Sequence, residues 1–204
     1  MQQLILASSS PYRKELLNRL TQDFFCVSPN IDERLLPEES AGELVKRLSI
    51  EKAQAVAKEH PDALIIGSDQ VCEFINPSTG KTEIAGKPGN HVNAIAHLQA
   101  VSGKTVYLRT GLTLYNAKNE NTQSTVESYS ITFRELSKEL IEQYLHSDQP
   151  YDCAGAVKVE SQGIILIEKM EGKDPNSIIG LPLIALTNML NNEKFSLFTK
   201  LEAE

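Results

Sequence analysis

The sequence predicts an α/β fold, a mixed twisted sheet flanked by helices and carrying a long antiparallel ribbon. Three observations carry that prediction. Leu4-Ile5-Leu6-Ala7 and Ala63-Leu64-Ile65-Ile66 are short apolar runs, the second bounded by Pro61 and Gly67, and read as buried strands. Segments with helical spacing and recognisable caps lie between them. Val106, Leu108, Thr110, Leu112 and Leu114 alternate at period two, then Ala117-Lys118-Asn119-Glu120-Asn121 reads as a turn and Val126 to Phe133 as the returning strand.

In chain order, Leu4 to Ala7 is a strand, Ser8-Ser9-Ser10 a polar loop, and Pro11 starts a helix to about Leu20. Phe24-Phe25-Cys26-Val27 is a short strand and Pro29 to Glu33 a loop. Ser40-Ala41-Gly42-Glu43 fits a capping box, and Leu44, Val45, Leu48, Ala53 and Val56 mark the buried stripe of the helix that runs on to about Lys58. Asn76 to Gly80 and Gly86-Lys87-Pro88-Gly89 are loops, and Asn90 caps a helix with Val92, Ile95 and Ala96 inward. Ser137 caps a helix to about His146, Gly163-Ile164-Ile165-Leu166-Ile167 reads as a last buried strand, and Leu183 to Leu190 as a final helix. With no repeat, linker or low-complexity tract, residues 1–204 are expected to form one domain.

Composition narrows the classes of function. A net charge of −7 argues against stable nucleic-acid binding, though not against a small basic pocket for one nucleotide. The apolar runs are too short for a membrane helix, and the first residues lack the pattern of a signal peptide, so a cytoplasmic location is expected. Cys26, Cys72 and Cys153 fall in no metal or redox motif and read as reduced, mostly buried thiols, and the four histidines read as surface residues outside any zinc pattern. A homodimer is compatible with the sequence, which leaves the oligomeric state open.

Gly67-Ser68-Asp69-Gln70 is the most informative segment. It follows a buried run, so Asp69 is expected at the mouth of the sheet, where open α/β sheets bind ligands. At the N-terminus, Ser8 and Ser9 lead into a capped helix start with Arg13 in its first turn, an arrangement suited to an anion. Cleaving a phosphoanhydride needs a base, a carboxylate-held divalent cation (Mg2+ or Mn2+) and cations facing the phosphates. Arg13, Glu33, Lys52, Asp69, Lys87 and Glu160 supply those types. Each has a plainer reading: a solvated helix face for Arg13 and Lys52, and a tightly packed turn for the small-residue stretch Cys153 to Ala156 before Glu160. Asp69 resists one, because a buried unpaired carboxylate is costly. No Walker loop or nucleophile elbow is present.

Taken together, Leu6-Ala7-Ser8-Ser9-Ser10-Pro11 with Arg13, Asp32-Glu33, Glu51-Lys52-Ala53, Gly67-Ser68-Asp69-Gln70, Gly86-Lys87-Pro88, Ala154-Gly155 and Gly180-Leu181-Pro182-Leu183 resemble the Maf family of nucleoside triphosphate pyrophosphatases. The resemblance runs from about Leu4 to Leu190. It implies a fold like that of inosine triphosphatases, hydrolysis of a nucleotide between its α and β phosphates, Asp69 as proton acceptor and a divalent metal, to which Glu33 and Asp69 are assigned. Lys52 and Lys87 are expected at the phosphates with Arg13, and Gln70 is expected to help fix the nucleotide.

Within the family, Gln70-Val71-Cys72, Asp152-Cys153-Ala154-Gly155, Lys158 with Glu160, and Asp174-Pro175-Asn176 are most similar to the branch that acts on 7-methyl-GTP. Two features depart from that branch: Tyr12 stands where Trp is usual, and Ile75 to Ala85 is longer. A cationic 7-methylguanine suits an aromatic face, which Tyr12 offers, and a carboxylate, which Glu160 offers to the base's ring N–H and amine. The alternatives are a dTTP, UTP or other noncanonical nucleotide as substrate and, in another class, a nucleotide-binding regulator of septum formation.

Overall fold

The computed structural model describes residues 2–76 and 78–198. Its elements are β1 (Leu4–Leu6), α1 (Pro11–Leu17), β2 (Phe25–Cys26), α2 (Ala41–Ala57), β3 (Leu64–Ile75), β4 (Thr82–Ala85), α3 (His91–Val101), β5 (Thr105–Asn116), β6 (Asn121–Phe133), α4 (Lys138–Asp148), β7 (Ile167–Gly172) and α5 (Leu183–Asn192). The strands form one mixed sheet in the order β2-β1-β3-β5-β6-β7, with β4 also paired to β3. β1 runs parallel to β2 and β3, and the other pairings are antiparallel. The α/β fold expected from the sequence is the one observed, with the ribbon as β5 and β6.

The central strand is longer than its apolar run suggests. β3 continues past Gly67 to Ile75, so Asp69 lies within the strand, paired with Gly111 of β5, and not after its end. The mouth that the sequence predicts exists for another reason. On the edge of β3 away from β5, β1 pairs only as far as Ile66, and β4 takes up the edge only at Cys72. Among the described residues, no strand pairs with that edge between these two points. β1 instead turns off through Ser8 into α1.

Alternation then sorts the segment by face. Gly67, Asp69 and Val71 look toward α2, while Ser68 and Gln70 look toward the loop before α5. α2 starts with the expected capping box, in which Ser40 Oγ accepts from Glu43 N and Glu43 Oε2 accepts from Ser40 N. It lies close against the sheet because β3 and β5 carry glycine where its backbone crosses. A Cβ at Gly67 would run into Ser49 O, and one at Gly111 into Val45 O.

Several expectations need correction. Gln162–Leu166 forms a 3-10 turn with Ile164 and Ile165 exposed, and β7 follows it as an edge strand. A short apolar run does not separate the two conformations, and Gly163 packs too tightly on Lys158 O for a side chain there. In α3 the inward stripe is Ala94, Leu98 and Val101, whereas Val92 and Ala96 face solvent, since they sit on the other side of the 3.6-residue period. Cys72 is buried but Cys26 is exposed and Cys153 half-buried, because β2 is a short edge strand and Cys153 borders a cleft. His91 and His97 are partly buried where α3 packs on its neighbours, and burial lowers the pKa of His97. α1 ends at Leu17 and β2 spans two residues, both shorter than expected.

The close approach of α2 makes a prediction about stability. Gly67→Ala should lower unfolding free energy by at least about 2 kcal/mol through overpacking against backbone. Urea denaturation checks this, and a stability within 0.5 kcal/mol of the parent (about the usual scatter for surface changes) would remove Gly67 as the reason for the approach.

Candidate active site

The unpaired edge of β3 opens into a cleft of about 460 Å³. All of the residues singled out from the sequence border it: Ser8, Ser9, Tyr12, Arg13, Glu33, Lys52, Asp69, Gln70, Lys87 and Glu160. They arrive from the β1–α1 loop, α1, the segment before α2, α2 itself, β3, the loop after β4 and the stretch after α4. The volume suits a small-molecule ligand.

At its floor, Lys52 and Asp69 form a buried ion pair. Lys52 lies one helical turn beyond Ser49, where the helix touches Gly67, and so reaches the side chain two residues further along the same strand face. Lys52 Nζ donates to Asp69 Oδ1 at 2.6 Å and also lies 3.0 Å from Glu33 Oε1. Glu33 is exposed, so the pair is dry on one side and open to the cleft on the other. Two carboxylates thus converge on one positive centre.

Arg13 closes the same group from α1. Burial pulls its guanidinium pKa down, and the Asp69 and Glu33 carboxylates oppose that shift. Arg13 Nε donates to Gly180 O at 2.9 Å, and Ser68 Oγ donates to the same carbonyl at 2.8 Å. Gly180 has a φ of 110°, outside the range of ordinary side chains, and a Cβ there would crowd Arg13.

Gln70 turns to this loop as well. Its amide nitrogen lies 2.9 Å from Thr110 Oγ1, 2.7 Å from Ser177 O and 3.0 Å from Ile178 O. Its donors are therefore engaged by the loop that anchors Arg13. The buried Asp174 holds the loop's other end, accepting from Asn176 N and from Ile184 N at the start of α5. Ser68, Thr110 and Asp174 were not singled out for the site. Small polar residues inside strands carry no periodic signal; the Gly67-Ser68-Asp69-Gln70 and Asp174-Pro175-Asn176 blocks contained Ser68 and Asp174 without assigning them a role, and nothing pointed to Thr110.

A second group of polar residues borders the cleft around Tyr12. Tyr12 Oη donates to Asp152 Oδ1 at 3.4 Å, and Lys158 Nζ stands 5.9 Å from the ring centroid, within reach of a cation–π attraction. Burial raises the Tyr12 pKa, with Cys153 and Asp152 adding to the shift, so the ring stays neutral. Burial likewise pushes the Cys153 thiol up to about 12, which leaves it unreactive at neutral pH. Glu160 is exposed at the rim of the cleft, yet its carboxyl is raised above its ordinary value, chiefly by partial desolvation, with its backbone hydrogen bond and Lys158 opposing and Asp148 and Glu15 adding to it.

Two further placements complete the site. Lys87 is exposed on a loop whose Gly89 N donates to Tyr151 O and whose Gly86 O accepts from Gly155 N. Gly155 itself packs on Cys72 with a φ of 69°, so the tight-turn reading of this stretch is the one observed there, while Ala154 borders the cleft. Ser8 is buried and its hydroxyl accepts from Ser10 N, whereas Ser9 is exposed. Ser10 Oγ caps α1 by accepting from Arg13 N.

The buried pair can be tested without substrate. Lys52→Met should lower stability by about 3–5 kcal/mol, because Asp69 loses the ammonium that compensates it. Adding Asp69→Asn to that variant removes the orphaned charge and should recover part of the loss in guanidinium denaturation. Strictly additive losses would mean that the two side chains do not act as a pair.

Over 94% of this chain and 100% of the other, the fold matches the Staphylococcus aureus Ham1 protein with a TM-score of 0.52 at 13% identity, a likeness of fold alone. The 7-methyl-GTP pyrophosphatase of Colwellia psychrerythraea is 47% identical over 93% of this chain and 92% of its own length. The 7-methyl-GTP pyrophosphatase of Pseudomonas syringae pv. syringae is 47% identical over 96% of this chain and 99% of its own. The Maf-like protein family matches residues 3–193, and the chain belongs to the Maf family.

Proposed function

We propose that the protein hydrolyses a nucleoside triphosphate between its α and β phosphates, releasing a nucleoside monophosphate and pyrophosphate, with 7-methyl-GTP as the preferred substrate. The observation that carries the reading is the convergence of Asp69, Glu33, Lys52 and Arg13 beside the open edge of β3, in one cleft with Tyr12 and Glu160. The two relatives' names supply the substrate, and a cytoplasmic location is part of the proposal. No described helix is long and apolar enough to cross a membrane.

In this reading Asp69 takes a proton from a water whose oxygen attacks the α phosphorus. The bond from that phosphorus to the bridging oxygen breaks, and its electrons leave with pyrophosphate. Lys52 holds the Asp69 carboxylate in one orientation, while Lys52, Arg13 and Lys87 offset charge on the phosphate oxygens. Ser8 and Ser9 border the phosphate end at the capped start of α1. Asp69 and Glu33 present hard oxygen donors that already face one positive centre, so they fit Mg2+ or Mn2+. Such an ion, when bound, supplies charge neutralisation at the phosphates.

At the other group, Tyr12 stacks on the base and Glu160 reads its polar edge. The Tyr12 ring already lies near an ammonium, which marks it as a face that tolerates a cation. A raised carboxyl gains when a cationic base arrives to stabilise its charged form.

Pyrophosphate release across a panel of nucleotides, with Mg2+ and with Mn2+, tests the reading. The parent should prefer 7-methyl-GTP over UTP and dTTP, and Asp69→Asn should lower turnover by roughly a hundredfold or more while substrate still binds. Glu160→Gln should reduce activity on 7-methyl-GTP far more than on UTP. An equal loss on all nucleotides would make Glu160 structural, and near-normal turnover in Asp69→Asn would remove it as the base.

A further inference from the structure

Away from the cleft, His91, Glu142 and His146 form the one group among the described residues in which three His, Cys, Asp or Glu ligand atoms all lie within 4.8 Å of one another. None of them borders the cleft. His91 is the first residue of α3, and Glu142 and His146 are one turn apart on α4, so the group joins two packed helices. His91 Nε2 is 2.8 Å from Glu142 Oε2, and His146 Nε2 is 3.7 Å from the same oxygen.

Tyr151 Oη lies 3.0 Å from His91 Nδ1 and 3.3 Å from Leu145 O. With Nδ1 donating to Tyr151 Oη, the His91 Nε2 lone pair faces the Glu142 carboxylate oxygen and calls for a positive species between them. With the tautomer reversed, Tyr151 Oη donates to Nδ1 and Nε2–H donates to Glu142, which satisfies that one contact only. The second imidazole, its ring centroid 5.1 Å from the first, converges on the same oxygen, and two charged rings at that spacing repel. One divalent ion satisfies all three ligands at once.

Geometry and donor chemistry agree. Zinc bonds to imidazole and carboxylate run about 2.0–2.2 Å, which in a tetrahedral site spaces ligand atoms about 3.4 Å apart. The observed 2.8 and 3.7 Å bracket that spacing. The His91–Tyr151 bond is the kind of outer contact that orients a ligating histidine. We propose that His91, Glu142 and His146 form a second divalent-metal site, joining α3 to α4, that takes Zn2+ or a similar imidazole-binding ion. Its two nitrogens separate it in kind from the all-oxygen pair of Asp69 and Glu33.

The test is a Zn2+ titration of the whole protein in excess Mg2+, which fills oxygen-only sites, followed by calorimetry and thermal unfolding. The parent should bind one Zn2+ that the exposed-side-chain variant His146→Ala binds at least about tenfold more weakly. Free Zn2+ at a hundred times its Kd should raise the parent's Tm by about 5 °C or more, and that shift should shrink in His146→Ala and in Glu142→Gln. A parent that binds no Zn2+ below millimolar levels overturns the proposal and leaves an ordinary histidine–glutamate ion pair. Equal affinity in the parent and His146→Ala overturns it too, and would place the ion on other groups.

Discussion

The structure depends on a gap in one hydrogen-bonded ladder. β3 is paired with β5 along its other edge through Glu73, so it stays extended while no strand among the described residues pairs with its near edge from Gly67 to Val71. Extended backbone with free peptide groups usually recruits another strand. Here the β1–α1 loop, α1, the segment before α2, α2 and the loop after β4 surround it, and Arg13, Glu33, Lys52 and Lys87 from these elements face the cleft with Asp69. Were β1 to run three residues further in the same register, it would pair with β3 as far as Asp69 and close that edge. The site exists because β1 stops at Leu6, opposite Ile66, and β4 ends at Ala85, opposite Cys72.

The same gap explains why a buried ion pair sits at the floor. Replacing such a pair with apolar residues often leaves stability unchanged or raises it, so stability alone is a weak reason for its presence. Its arrangement is better explained by its open side, where exposed Glu33 and half-buried Arg13 add one negative and one positive group. The approach of α2 is fixed by Gly67 and Gly111, which makes the Lys52 position a consequence of backbone packing rather than of side-chain flexibility. A lysine delivered this way loses little entropy on meeting Asp69, and the carboxylate is held in one orientation before any ligand arrives.

What the sequence revealed follows from which signals are local. The capping box at Ser40, the alternation from Val106 to Leu114 and the apolar runs at Leu4 and Ala63 each report on their own segment, and each reappears in the fold. The cleft residues were visible because titratable groups beside turns or strand ends are uncommon without a partner. The continuation of β3 was not visible, since Gly67-Ser68-Asp69-Gln70 reads as a stop unless β5 is known to pair with it. Gln70 was seen as a ligand group, but its amide is spent on Ser177 and Ile178, more than a hundred residues away in the chain. The Ile164–Ile165 run failed for the opposite reason, because its composition favours a strand and the crowding at Gly163 turns the chain instead.

Tyr12 and Arg13 connect the two groups of the cleft. Consecutive residues on a helix project about 100° apart, so one short helix sends an aromatic ring toward Asp152 and Lys158 and a guanidinium toward Asp69 and Glu33. α1 cannot shift to improve one contact without moving the other. Its start is fixed by Ser10 and Pro11, and its inner face by the buried Leu16 and Leu17. Arg13 is further tied to Gly180, whose carbonyl also receives Ser68 from the central strand. The ring that would meet a base and the cation that would meet a phosphate are therefore held at a fixed separation by backbone. That rigidity favours a ligand that spans both groups, with a cationic or aromatic portion at one and a phosphate chain at the other.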